Sequence, residues 1–186
     1  MSKVLVIVDV QNDFCERGAL AVAGGRKVAH DLVESLENNA GFDHIVTTQD
    51  WHIDPGDHFE KWPVHCRAGT LGAEIAEPLK SYLKTSPEYF GTIYKGAYDD
   101  GYSGFEGELS VNPAHNLYHV LLQLGATEVV YCGLATDVCV AATALHENAQ
   151  NFGRAVWAGM TAGVDKDETD RLLKHGGFQS EGVAVV

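Results

Sequence analysis

Six short runs of β-branched and aliphatic residues limit what this chain can fold into. They are Lys3 to Val10 (KVLVIVDV), His44 to Thr48 (HIVTT), Tyr89 to Tyr94, Glu128 to Cys132 (EVVYC), Arg154 to Ala158 and Gly182 to Val186. Each has the length of a strand. Their apolar character is near-continuous rather than alternating, which is the pattern of strands buried on both faces of a parallel sheet. Between them lie stretches of helical pattern: Gly25 to Asn38, with Val28, Leu32 and Leu36 four residues apart, about Ala114 to Leu124, Thr136 to Asn151, and Lys166 to His175. Parallel neighbours need crossover connections, so this alternation predicts βαβ units. The expected fold is α/β, a three-layer α/β/α sandwich around a six-stranded, mainly parallel sheet.

A length of 186 residues suits one domain. No repeat, low-complexity tract or linker composition divides it, so residues 1–186 are read as a single domain. Two long irregular segments, Gln49 to Glu74 and Lys95 to Asn112, interrupt the rhythm of strand and helix. Connections of that length in a compact domain usually carry function.

Charge excludes whole classes of partner. Against 26 Asp and Glu the chain has 13 Lys and Arg, a net charge of −13. Nucleic-acid binding needs clustered cations, and an anionic membrane repels such a surface. The N-terminal run is short, carries Asp9 and is followed by Gln-Asn-Asp rather than a small-residue cleavage site, so it does not read as a signal peptide. No apolar run approaches the roughly 20 residues of a spanning helix. The chain is expected to be soluble and cytoplasmic, with Cys15, Cys66, Cys132 and Cys139 reduced, since no Cys-x-x-Cys pair occurs.

In open α/β sheets the ligand crevice lies beyond the carboxyl ends of the strands. Asp9 ends the first strand in apolar surroundings and is either a loop cap or a general base. Asp50, His52, His58 and His65 fall within sixteen residues (DWHIDPGDHFEKWPVH). Alternate residues of a strand share a face, so Asp50 and His52 point the same way, and a loop with Pro55, Gly56 and Pro63 can return the other two histidines to them. An oxygen and nitrogen donor set without thiolate suits iron(II), manganese or zinc. Asp54 and Asp57 flank a Pro-Gly turn and read as turn residues.

Cys139 (GLATDVCV) follows the Glu128 to Cys132 strand in the first turn of the next helix, where amide groups and the positive helix end should lower its pKa. That turn resembles a nucleophile elbow, with free amides near the sulfur available to an oxyanion. Cys132 lies within a strand and is assigned to the core; Cys15 and Cys66 receive no role. Lys95 ends the third strand, an unusual place for a lysine, and near Asp9 and Cys139 it would hold a thiolate and orient substrate.

These segments together are similar to the nicotinamidase/pyrazinamidase family of the isochorismatase-like cysteine hydrolases. The resemblance rests on Asp9-Val-Gln-Asn-Asp-Phe14, Asp50-Trp-His52, Asp54-Pro-Gly-Asp-His58, Trp62-Pro-Val-His65-Cys, the stretch from Lys95 to Gly107, and Gly133-Leu-Ala-Thr-Asp-Val-Cys139. It runs from the first strand to Cys139 and loosely on to Thr161-Ala-Gly-Val164. The Asp-x-His, His, His set is its most specific part.

The resemblance implies an isochorismatase-like, Rossmann-like sheet topology and a catalytic triad of Asp9, Lys95 and Cys139. It implies one divalent metal ion (Fe2+, Mn2+ or Zn2+) on Asp50, His52, His58 and His65. It also implies an oxyanion hole from the amides of Ala135 and Cys139, with a cis peptide between Leu134 and Ala135. Phe14 and Trp62 match the walls around a substrate ring, with Leu134 and Ala135 beside it. The implied reaction is hydrolysis of nicotinamide to nicotinate and ammonia, and of pyrazinamide to pyrazinoate. Its implied partner is a small aromatic amide, and the chain would act as a monomer or homodimer. The rival readings are a superfamily amidase for ureido or carbamoyl compounds and a metal- or thiol-binding module without turnover.

Overall fold

The structure, a computed structural model, describes residues 2–38 and 41–186. Its frame is one sheet of eight strands. In chain order these are β1 (Ser2–Val8), β2 (His44–Asp50), β3 (Tyr89–Lys95), β4 (Glu108–Leu109), β5 (Asn112–Asn116), β6 (Ala126–Leu134), β7 (Gly153–Ala162) and β8 (Ala184–Val185). Across the sheet the order is β5-β4-β3-β2-β1-β6-β7-β8. The six expected strands are its parallel part, with β1 flanked by β2 and β6. The additional two, β4 and β5, form an antiparallel ribbon on the β3 edge, so the count is eight rather than six.

β1 shows why the apolar runs were continuous. Val4, Val6 and Val8 join one core with Leu117, Val120, Leu121, Leu172 and Phe178, while Leu5 and Ile7 join the other with Val28, Leu32, Leu79 and Leu83. All five β1 side chains are at most 1% exposed. At about 1.5–3 kcal/mol per fully buried aliphatic side chain, this strand is a main source of stability.

Helix α1 (Gly25–Glu37), with Val28, Ala29 and Leu32 inward, and α3 (Leu79–Leu83) cover one face; α2 (His58–Lys61) lies in the loop between them. On the other face lie α4 (Leu117–Gln123), α5 (Ala141–Ala144), α6 (Lys166–Lys174) and α7 (Gly177–Ser180). Two helical expectations change. The segment from Ala114 begins as β5 and turns helical only at Leu117, where the Asn116 side chain accepts from the His119 amide and caps the helix. The expected helix from Thr136 to Asn151 is three pieces: a π-helical turn (Thr136–Val140), α5, and a 3₁₀ turn (Glu147–Asn151).

Because β1 has β2 on one side and β6 on the other, the chain changes direction across the sheet at the β1–β6 boundary. This switch point is where an open sheet leaves a crevice. Gly133 brings the two strand ends together there. Its φ is +107°, and a Cβ would lie 2.1 Å from the Val8 carbonyl oxygen, so only glycine lets β6 pass β1 this closely. No helix among the described residues is long and apolar enough to cross a membrane.

Candidate active site

Four strand ends meet above the switch point. Asp9 follows β1, Asp50 ends β2, Lys95 ends β3, and Ala135 follows β6. In register, Val8 lies beside both Thr48 and Gly133, and Asp50 beside Lys95. Parallel pairing therefore delivers three charged residues to one place.

Lys95, only 1% exposed, is the hub. Its ammonium pairs with Asp50 Oδ1, donates to the Gly101 carbonyl at 2.9 Å, and lies 3.5 Å from Cys139 Sγ. It is also 2.9 Å from Asp9 Oδ2, and since a carboxylate oxygen can take two donors, that oxygen keeps an open acceptor site. Asp9 is held in place through Oδ1, which accepts from Thr48 Oγ1 at 2.6 Å. Burial works against the lysine's charge, but the Asp50 and Asp9 carboxylates outweigh it and hold its pKa well above the ordinary value. For Asp50 burial also opposes ionisation, yet the Lys95 ammonium keeps its carboxyl below the usual range. Burial pushes the Asp9 carboxyl up, Lys95 acting against it and Asp50 with it.

Cys139 sits in the π-helical turn after the cis Leu134–Ala135 peptide. Within that turn the Val138 and Val140 amides both donate to the Ala135 carbonyl at 3.1 Å. Asp137 fastens it from outside, accepting from the amides of Val164 at 2.9 Å and Asp165 at 2.7 Å. A carboxylate oxygen of Asp9, one of Asp50 and the Cys139 sulfur all lie within 4.8 Å of one another. The expected lowering of the thiol pKa does not occur. Burial pushes it well up, the two carboxylates add to this, and Lys95 only partly opposes them. Cys139 therefore rests as a protonated thiol beside a carboxylate with an open acceptor site.

Next to this cluster stand His52, His58 and His65, each at most 3% exposed. Their tautomers follow from their partners. His52 Nδ1 lies 2.6 Å from the Gly96 carbonyl, and His65 Nδ1 2.6 Å from the Pro63 carbonyl. His58 Nδ1 lies 2.8 Å from Asp100 Oδ1. A carbonyl or carboxylate only accepts, so each Nδ1 carries a proton, and in the neutral ring Nε2 is the nitrogen with the lone pair. The Nε2 atoms of His52 and His58 are buried and find no hydrogen-bond partner among the described residues. Ligand atoms of all three lie within 4.8 Å of one another, and Asp50 Oδ2 is 3.7 Å from His52 Nε2 and 3.8 Å from His65 Nε2. Burial also lowers the His58 pKa, which favours the neutral ring. Converging imidazoles, two of them with unpartnered buried nitrogens, beside a carboxylate fit a divalent cation.

A mostly apolar cleft opens beside Cys139 and the histidines. Phe14, Leu20, Trp62, Tyr102, Ala135, Val138 and Cys139 line it, with Asp50, His58 and His65 at its polar end. The Phe14 and His65 rings are 5.4 Å apart, and Trp62 donates through Nε1 to Tyr102 Oη at 3.0 Å. Leu134, expected beside the substrate, turns its side chain into the α1 core instead, because strand alternation sends the last β6 side chain to that face. Cys132 is in the core as expected, and Cys15 and Cys66 are buried, the Cys15 thiol pushed up by burial to about 11.

Some supporting residues were not singled out in the sequence. Gln11 is fully buried; its Nε2 donates to the carbonyls of Asp50 and Ala73, both at 2.8 Å, and its Oε1 accepts from the Asp50 amide at 2.9 Å. The loop from Gly96 to Tyr102 holds His52, His58, Lys95 and Trp62 at once. It can do so because Gly101, at φ +54°, lets the loop fold back onto Gly96, where a Cβ would lie 2.3 Å from the Gly96 nitrogen. The density of glycine and tyrosine after Lys95 was the available signal.

Residues 3–178 match the isochorismatase domain family. The chain belongs to that family. Over 180 residues, 92% of each chain, it is 42% identical to a nicotinamidase/pyrazinamidase of Mycobacterium tuberculosis. Among solved structures it resembles a pyrazinamidase of Pyrococcus horikoshii in complex with zinc, with 30% identity and a TM-score of 0.80, covering 100% of this chain and 99% of that one. It also resembles PnC1 of L. infantum in complex with nicotinate, with 29% identity and a TM-score of 0.82, covering 100% and 92%.

The shared ammonium makes a stability prediction. Lys95→Met leaves two buried carboxylates without their cation and should cost about 3–5 kcal/mol in urea unfolding. Adding Asp50→Asn removes part of that burden, so the double variant should fall short of the sum of the single changes by more than about 1 kcal/mol. Additive losses would show that Lys95 and Asp50 do not depend on each other.

Proposed function

We propose that the chain is a metal-containing cysteine amidohydrolase, a single domain spanning residues 1–186, that converts nicotinamide to nicotinate and ammonia and pyrazinamide to pyrazinoate. The observation that carries this reading is the convergence of a protonated thiol, a carboxylate with an open acceptor site and a buried ammonium, the thiol lining an apolar cleft. The similarity to a nicotinamidase/pyrazinamidase along nearly the whole chain supports the substrate.

In the proposed mechanism Asp9 takes the Cys139 proton as the sulfur attacks the carboxamide carbon. The amides of Ala135 and Cys139 receive the charge that develops on the carbonyl oxygen. Asp9 returns the proton to the departing nitrogen, and ammonia leaves a thioester on Cys139. A water molecule, deprotonated by Asp9, then attacks that thioester; carboxylic acid and thiol are released, and water and amide have become acid and ammonia. Lys95 holds Asp9 and the sulfur in place while these protons move. Phe14 and Trp62 hold the ring between them.

Asp50, His52, His58 and His65 are the proposed ligands of one divalent ion, zinc, manganese or iron(II), which would supply a Lewis acid for the ring nitrogen. We place the enzyme in the cytoplasm, a reading supported by its four free thiols. Ammonia release from nicotinamide by the purified chain separates an enzyme from a binding module, and a panel with ureido and carbamoyl compounds separates the amidases.

Cys139→Ala should lower kcat by on the order of 10⁶-fold with metal content and fold intact. Asp9→Asn should be nearly as damaging, since an amide cannot shuttle the proton. Steady-state ammonia release measures both, and a Cys139→Ala variant with a tenth of the parent's rate refutes the nucleophile.

Removal of the ion should separate substrates by their ring. Binding through a ring nitrogen positions the carboxamide at Cys139, a benefit that benzamide cannot receive. In chelator-treated protein, kcat/KM for nicotinamide and pyrazinamide is expected to fall far more than the already low value for benzamide. An equal fall for all three would mean that the ion supports structure or activates water.

A further inference from the structure

The three histidines of the proposed metal centre do not have equivalent supports. His52 and His65 donate from Nδ1 to the backbone carbonyls of Gly96 and Pro63, whereas His58 donates to the side chain of Asp100. The second oxygen of Asp100 accepts from Lys61 Nζ at 2.8 Å. His58 is the first residue of α2 and Lys61 the last, so one carboxylate joins both ends of a helix only four residues long. That helix has no side-chain cap of its own, and a single turn in water has almost no intrinsic stability. Its hold on the protein comes through the Gly96 to Tyr102 loop, by Asp100 and by the Trp62 to Tyr102 hydrogen bond.

Resting on the metal reading above, we propose that Asp100 is a positioning residue of the metal centre, keeping His58 in the Nδ1–H tautomer with its Nε2 lone pair turned towards His52 and His65. A charged acceptor suits this task better than a backbone carbonyl. It makes the stronger hydrogen bond to the imidazole and raises the electron density of the opposite nitrogen. Lys61 assists by orienting the carboxylate. Its side chain is 55% exposed and that of Asp100 36%, so the ion pair between them is largely screened and its own effect is small.

Zinc binding by the purified full chain, stripped and titrated against a chromogenic chelator, tests the proposal. Asp100→Ala is expected to weaken zinc affinity about 10–100-fold. Asp100→Asn keeps an acceptor oxygen without the charge and should weaken it about fivefold. Lys61→Met should change it by no more than about threefold. Both Asp100→Ala and Lys61→Met cut the tie across α2, but only Asp100→Ala removes the acceptor of His58, so a role confined to holding the helix would weaken zinc alike in both. Zinc affinity within twofold of the parent in Asp100→Ala overturns the proposal, as does a loss in Lys61→Met equal to that in Asp100→Ala. If Asp100→Ala does not fold, parent-like affinity in Asp100→Asn overturns it. His52→Ala is the reference. If zinc affinity survives there, or the parent binds no zinc, the metal reading falls and this one with it; if His52→Ala loses zinc and Asp100→Ala keeps it, only the role of Asp100 falls.

Discussion

The arrangement at the switch point depends on one buried ammonium. Asp9, Asp50 and Lys95 are 0%, 4% and 1% exposed, so three charges lie out of water with only each other and a few polar atoms for compensation. One cation between two anions leaves an excess negative charge, and this explains the state of the thiol. A fourth charge on Cys139 would be an anion beside two others in a dry environment, which is why the sulfur holds its proton at rest. A nucleophile in this setting needs a base at hand, and the open acceptor on Asp9 meets that need. On its other side Asp50 lies 3.7 Å from His52 Nε2 and 3.8 Å from His65 Nε2, where a divalent cation would balance the charge.

Such a cluster survives only if its backbone is rigid, and the parallel sheet supplies that rigidity. β1 is packed on both faces, its neighbours β2 and β6 are in fixed register, and Gly133 permits their closest approach. Gln11 then ties the end of β2 to the 73 region with three hydrogen bonds, all of them buried. Each link is a satisfied polar group inside the protein. Removing one partner leaves the other without water or hydrogen bond, so the cost of distortion is high. The Gly96 to Tyr102 segment wraps Lys95 and presents Asp100 and Tyr102 to α2 and its end.

Much of this was legible before any coordinates. The parallel strands announced themselves because burial on both faces demands continuous apolar runs, and the strand-end rule then singled out Asp9, Asp50, Lys95 and Cys139 as neighbours. β4 and β5 gave no such signal. Their residues, Glu-Leu and Asn-Pro-Ala-His-Asn, lie at an edge with one side open, and no hydrophobic pattern is required there. The Thr136 to Asn151 segment looked like one helix because alanines favour any helical form, whereas the wide turn around Cys139 is imposed by the strand end it leaves. Gln11, Asp100 and Tyr102 escaped notice because their partners lie 39 to 62 residues away for Gln11 and 39 to 42 residues away for the other two. Local pattern does not encode such pairings. The direction of the Cys139 pKa was misread for a similar reason: the helix end is local, but the burial and the two carboxylates that outweigh it arise only on folding.

The central claim is that the thiol beside Asp9 and Lys95 carries the acyl group of the substrate. Mass spectrometry of protein acid-quenched during turnover of nicotinamide tests it most directly. The account predicts a nicotinoyl thioester on the peptide containing Cys139, with Cys15, Cys66 and Cys132 unmodified, and its capture as the hydroxamate when hydroxylamine competes with water. Turnover with no acyl group on Cys139 and no hydroxamate formed, or an acyl group on another residue, would contradict it.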